Sequence, residues 1–125
     1  MDPELKRCLD HAAEAVLDKK GFAVVGLDVA ALTSLADAFL ICSGASERQV
    51  GTIADAIVRK LKSIGRRPLH VEGEQQAQWI LIDYGDLVVH VFTEERRAFY
   101  ALEKLWADAG RLELPAGGDR AGQDR

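Results

Sequence analysis

Apolar positions recur at helical spacing over the first twenty residues. Leu5, Cys8, Leu9, Ala12, Ala13, Val16 and Leu17 fall on one face, as in an amphipathic helix packed on a core. Asp2-Pro3 supplies a cap and a proline suited to the first turn, and Gly21 is the expected stop. The period then changes. FAVVGLDV, residues 22 to 29, reads as a strand with Gly26 as a bulge candidate. AFLIC, residues 38 to 42, is a continuous apolar run of the kind found in strands covered on both faces. Ser46-x-x-Gln49 is a capping-box pattern. It opens a helix with Val50, Ile53, Ala54, Ile57, Val58, Leu61 and Ile64 on one stripe, ended by Gly65. RPLHVEG predicts a third strand. WILID and LVVHVF predict a fourth and fifth, joined by a tight turn through Tyr84-Gly85. Thr93 caps a last helix, with Glu94 and Glu95 where the dipole favours negative charge. Phe99, Leu102, Leu105, Trp106 and Ala109 form its apolar stripe. From residue 110 onward, GRLELPAGGDRAGQDR has no periodicity and reads as a flexible tail.

The predicted order is α-β-β-α-β-β-β-α. This implies a single α/β (α+β) domain over residues 1–109, a mixed sheet of about five strands flanked by helices. The chain has 125 residues, 48% of them hydrophobic, enough for one core and too few for two. The net charge of −4 argues against bare nucleic acid as the main partner, because such affinity comes from neutralising phosphates. Cys8 and Cys42 sit in apolar patterns and read as buried reduced thiols. No C-x-x-C pair suggests zinc or redox work. The first residues lack a signal-peptide pattern, and no apolar stretch approaches the roughly 20 residues that span a membrane. A cytoplasmic protein is the expectation.

The chemistry-bearing residues do not assemble into a catalytic set. SGAS before a helix has the position of an anion site, but a turn and a cap account for Gly44 and Ser46. A nucleotidyltransferase would need carboxylates converging from strands to hold magnesium, and no D-x-D or D-x-E follows SGAS. Asp83, Asp86 and His90 form a poor metal set, since His90 lies roughly 13 Å from the turn at strand rise. No cofactor and no metal are expected. RKLKSIGRR holds five cations, Arg59, Lys60, Lys62, Arg66 and Arg67, at a helix end. They complement the helix dipole there, and could also touch rRNA phosphates. What remains is a recognition surface of acids and aromatics.

Four motifs carry a resemblance. They are S-G-x-S-x-R-Q, V-E-G, W-I-x-x-D-Y-G-D-x-V-V-H-V-F and F-Y-x-L-E-x-L-W. From about residue 5 to 109 the chain resembles the ribosomal silencing factor family, also called Iojap-like. The resemblance implies a fold similar to a nucleotidyltransferase sheet without its catalytic carboxylates. It implies a non-enzymatic factor that binds the large ribosomal subunit through ribosomal protein fourteen, blocks joining of the small subunit and represses translation when nutrients are scarce. It also implies a homodimer when unbound. Trp79, Ile80, Asp83, Tyr84, Gly85, Asp86 and His90 of the hairpin, with Phe99 and Tyr100 of the last helix, would then form the docking surface. Two other readings remain: a large-subunit assembly factor, or an enzyme in which Asp83 and Asp86 hold a divalent ion near SGAS.

Overall fold

The computed structural model describes residues 1–100, 104 and 106–115. The elements run α1 (Pro3–Asp18), β1 (Phe22–Asp28), β2 (Ala38–Gly44), α2 (Glu47–Ser63), β3 (His70–Glu72), β4 (Trp79–Asp83), β5 (Leu87–Thr93), α3 (Glu94–Tyr100) and β6 (Gly110–Leu112). The sheet order is β3-β4-β5-β2-β1-β6. β2 and β5 pair in parallel at its centre, Ala38 beside Leu87 through Gly44 beside Thr93. The other pairings are antiparallel. Both central strands are buried along their whole length, which is why their sequences are apolar without alternation.

α1 and α2 cover one face of the sheet. Leu5, Leu9, Val16, Ile53, Ile57 and Leu61 from the helices meet Leu40, Ile80, Ile82, Val89 and Val91 from the strands. The opposite face carries a second cluster, in which Leu27, Val29, Phe39, Ile41, Val88 and Phe92 pack with Trp106 and Ala109. Cys8 and Cys42 are buried and unbridged, and burial pushes the Cys42 thiol up to about 12.

The caps expected from the sequence form. Leu5 N donates to Asp2 Oδ2 at 3.3 Å, Gln49 N to Ser46 Oγ at 3.1 Å, and Arg96 N to Thr93 Oγ1 at 3.4 Å. The return bond of the box shifts by one residue, and Gln49 also reaches α1. Its side chain accepts from Ala45 N at 2.6 Å and donates to the Lys19 and Lys20 carbonyls at 3.1 and 3.0 Å, tying the end of α1 to the start of α2.

The structure departs from the sequence reading at several points. Lys20, not Gly21, takes the left-handed conformation after α1, at φ 64°. Gly21 is needed for space instead, since a Cβ there would run into Val16 Cγ1. The irregularity in β1 lies between Phe22 and Val25, with Ala23 at φ 52°, rather than at Gly26. Gly26 leaves room for the C-terminal segment: a Cβ would stand 3.2 Å from Leu114 Cδ2 and 3.4 Å from Leu112 Cβ. That segment is the sixth strand. Gly110–Leu112 was expected to begin the tail, yet it pairs with Gly26–Asp28. Trp106 lies in a turn rather than on the helix stripe. Leu102, Leu105 and the side chains of Phe99 and Tyr100 lie outside the described residues.

Lys20 closes a Schellman ending, with Lys20 N donating to Leu17 O at 3.0 Å and Gly21 N to Val16 O at 2.8 Å. A left-handed non-glycine residue there is strained. Lys20→Gly is therefore expected to stabilise the fold by about 0.5–1 kcal/mol, read as a rise of roughly 2–5 °C in a thermal melt. An unchanged or lower Tm would contradict the assignment of strain to this residue.

Candidate functional site

The hairpin of β4 and β5 sorts its side chains by parity. Ile80, Ile82, Tyr84, Leu87, Val89 and Val91 enter the core beneath α1 and α2. Trp79, Leu81, Val88 and Phe92 belong to the opposite face, where Trp79, Leu81 and Asp83 remain half-buried. Trp79 is held firmly. Its indole stacks on Phe92 with centroids 5.0 Å apart, and its Nε1–H donates to His90 Nδ1 at 3.2 Å. His90 is 6% exposed and sits edge-on to Phe39 at 5.2 Å. With Nδ1 accepting, the neutral ring carries its proton on Nε2, which is buried and finds no partner among the described residues. Desolvation pushes the imidazole down to about 4.

The turn between the strands is clamped from several sides. Asp83 Oδ1 accepts from Gly85 N at 2.7 Å, and Tyr84 N donates to Leu87 O at 2.8 Å. Gly85 takes φ 91°, which a side chain would strain. The Asp83 carbonyl accepts from Leu69 N at 2.8 Å, and the Asp86 carbonyl from Asp37 N and Ala38 N at 2.8 and 3.0 Å. Arg66 completes the clamp. Its Nη2 lies 2.7 Å from Asp86 Oδ1 and 3.1 Å from the Tyr84 carbonyl, and its Nη1 lies 3.5 Å from Asp86 Oδ2. The same guanidinium stands 5.6 Å from the centre of the Tyr84 ring and reaches Cys8 Sγ at 3.4 Å. It is delivered there by the end of α2. Gly65 at φ 87° donates to Lys62 O, and Arg66 N to Leu61 O at 2.8 Å, so the chain reverses toward the hairpin.

These positions revise the expected docking surface. Trp79 and Asp83 share a face, but they mark opposite ends of β4, about 13 Å apart at strand rise. Gly85 and Asp86 belong to the turn. Ile80 is 2% exposed and Tyr84 5%, so neither presents itself to a partner. Tyr84 follows Ile80 and Ile82 into the core because period-2 alternation sends it there. Its hydroxyl is buried with no partner among the described residues, and desolvation pushes it up to about 12. His90 supports Trp79 from beneath. Arg66 likewise leaves the basic patch, because it is bound to Asp86 as part of the clamp. Lys60 lies 3.7 Å from Glu14, while Arg59, Lys62 and Arg67 are exposed. Sequence reasoning missed Arg66 as a structural partner. The signal available was its place just after a helix-ending glycine.

The enzyme alternative fails on distance. Asp83 and Asp86 lie at the end of the sheet where β2 begins, and SGAS lies where β2 finishes, six residues or about 20 Å further on. Among the described residues no three His, Cys, Asp or Glu side chains group to hold a metal ion.

A family model described as ribosomal silencing factor during starvation matches residues 2–125. The chain belongs to that family. A ribosomal silencing factor of Halalkalibacterium halodurans is 48% identical over 106 residues, covering 85% of this chain and 91% of that one. A crystal structure of a Chromobacterium violaceum protein superposes with a TM-score of 0.81 at 36% identity, covering 86% of this chain and 88% of that one. More distantly, the mouse protein named for mitochondrial assembly of the ribosomal large subunit is 34% identical over 73 residues, 56% of this chain and 32% of its own length. The family and its bacterial members are named as regulatory silencing factors, not as enzymes.

Two predictions follow from the geometry of this silencing-factor hairpin. Unfolded histidine takes a proton below about pH 6.5, whereas buried His90 resists protonation until about 4. Stability is therefore full above pH 6.5 and falls as pH drops toward 4, by at most roughly 3 kcal/mol. Urea titrations at pH 7, 5.5 and 4.5 should show the loss. His90→Gln, which keeps an acceptor for Trp79, should flatten it. Arg66→Met removes the charge-assisted bonds to Asp86 and should cost about 2 kcal/mol. Faster amide exchange in the turn at Tyr84 and Leu87 should accompany that loss; unchanged exchange there would argue against the clamp.

Proposed function

We propose that this chain is a ribosomal silencing factor acting in the cytoplasm. It docks on the large ribosomal subunit through ribosomal protein fourteen, on the surface that the small subunit must approach. The bound domain occupies volume the small subunit needs, so joining fails and translation falls when nutrients are scarce. No covalent chemistry is required of it. The observation that carries the docking surface is the half-buried Trp79, fixed by Phe92 and His90 on the face that α1 and α2 leave uncovered, with Leu81 and Asp83 on the same face. A rigid aromatic anchor beside an apolar and an acidic neighbour is a common core for a protein interface. The net charge of −4 suits a basic ribosomal partner, since opposite potentials speed association. Ile80, Tyr84, Gly85, Asp86 and His90 hold the anchor and turn in place. Phe99 and Tyr100 of α3 are the further residues assigned to docking in this reading. Arg59, Lys62 and Arg67, with Lys60 beside them, are available for peripheral rRNA phosphates. The free protein is a homodimer.

The name of the mouse relative supports a second reading, in which the same docking serves assembly of the large subunit. Timing separates the two: an assembly factor accumulates on immature subunits, a silencing factor on mature ones.

Purified protein should co-sediment with separated large subunits and not with small ones, and should reduce subunit joining. Trp79→Ala should weaken that binding about tenfold or more. Asp83→Asn keeps an acceptor for Gly85 and should leave Tm nearly unchanged, yet weaken binding several-fold, most at low salt. Full binding by both folded variants would refute the surface assignment.

A further inference from the structure

A crevice opens at the end of the sheet remote from the β4–β5 turn. The parallel strands β2 and β5 both deliver their carboxyl ends there, and the helices that follow them diverge. α2 crosses the face that carries Leu40 and Val89. α3 turns to the opposite face, where its Arg97 Nη1 donates to Ser43 Oγ at 2.9 Å. Ser43 alternates with Phe39 and Ile41, which belong to that face. Where adjacent parallel strands send the chain to opposite faces, open α/β sheets leave room for small ligands. Here the room is a cavity of about 280 Å³ lined by Ser46, Glu47, Gln78, Thr93, Glu95 and Arg96. Drug-sized ligands need roughly 300 Å³ or more, so this cavity suits a smaller molecule. Gln78 and Arg96 also line a second cavity, of about 180 Å³, beside Trp79.

The charges around the crevice are set apart rather than paired. Arg96 is half-buried, whereas Arg59 and Arg67 are exposed. Its Nε donates to Gln78 Oε1 at 2.8 Å. Its terminal nitrogens find no hydrogen-bond partner among the described residues, and it makes no ion pair there. Glu47 and Glu95 make none either. Glu95 is next to Arg96 on one helix, and neighbours in a helix do not face each other. Glu47 is held off by Gln78, whose Nε2 donates to Glu47 Oε2 at 2.9 Å while its Oε1 takes the Arg96 bond. One neutral amide thus stands between a guanidinium and a carboxylate. Ser46 Oγ and Thr93 Oγ1 accept backbone amides, from Gln49 and Arg96. Each hydroxyl keeps its proton to give.

This charge pattern selects the occupant. A half-buried guanidinium without a counter-ion favours an oxyanion, and its planar fork matches a carboxylate. A phosphate would carry up to two negative charges past Glu47 and Glu95, which repel it. A molecule with one carboxylate and one ammonium a short distance apart satisfies both signs. That is the chemistry of a free α-amino acid.

We infer that the crevice between the carboxyl ends of β2 and β5 is a binding site for a small free α-amino acid. The carboxylate lies on the terminal nitrogens of Arg96 and takes the Ser46 and Thr93 hydroxyl protons. The ammonium lies against Glu47 and Glu95. Gln78 leads directly into Trp79, so an occupant of the crevice is felt at that indole.

NMR titration of the purified full chain with the standard L-amino acids, one at a time, tests this. At least one with a short side chain should give saturable shifts at the amides of Glu47, Gln78, Thr93 and Arg96 and at the Trp79 indole. Its carboxamide, which lacks the carboxylate, and its N-acetyl form, which lacks the ammonium, should each bind about tenfold more weakly or worse. Arg96→Gln should weaken binding by a similar factor. Glu95→Gln alters an exposed side chain, so Tm should hold while affinity falls several-fold. Absence of saturable shifts with every amino acid would overturn the inference. So would acetate or inorganic phosphate binding as tightly as the best amino acid, or full affinity in both variants. These titrations need only the free chain, so their outcome is independent of whether it binds ribosomes.

Discussion

Parallel pairing of β2 with β5 sets the position of every other element. Two adjacent strands pointing the same way cannot be joined by a hairpin, so the chain must travel over the sheet between them. α2 makes that journey, and its apolar stripe closes one face of the core. β4 then arrives antiparallel to β5, and β1 antiparallel to β2. Because the two central strands run together, the loop entering β2 and the turn entering β5 emerge at the same end. The bonds from Asp37 and Ala38 to the Asp86 carbonyl depend on that coincidence.

The same pairing fixes which end of the sheet each acid can reach. Carboxylates that held a metal near the start of α2 would have to stand at the far end of β2 and β5. Here that end is occupied by a structural network, with Gln78 donating to Glu47 and accepting from Arg96. The acids instead sit at the opposite end. There Asp83 and Asp86 shape a turn, one by capping Gly85 and the other by binding Arg66. The D-Y-G-D sequence is thus explained by backbone geometry first, and any recognition role is built on the rigidity that results.

Much of the fold was legible because its signals are local. The caps at Asp2, Ser46 and Thr93 depend on bonds three residues away, and AFLIC and LVVHVF declare their double burial by lacking alternation. Features set by distant contacts were not legible. β6 is three residues long, and it exists because Gly26 leaves space for Leu112 and Leu114. Nothing in its own sequence says so. Lys20 adopts a conformation that lysine disfavours, because Gly21 must lie against Val16. The site was read less well than the fold. A tyrosine flanked by acids suggests exposure, yet strand parity already placed Tyr84 with Ile80 and Ile82. Arg66 was grouped with its charged neighbours in sequence, whereas its partner lies 20 residues further on.

Both margins of the sheet are strands of three residues, β3 on one side and β6 on the other. Long, flat, apolar margins invite further strands and seed aggregates. These do not. β3 flanks its single half-buried valine with exposed His70 and Glu72, and β6 exposes Gly110 and Arg111. A protein that keeps Trp79 half-buried on the face that α1 and α2 leave uncovered runs an obvious risk of associating with itself. Truncated, polar margins confine that stickiness to the face, where only a partner of the right shape and charge can use it.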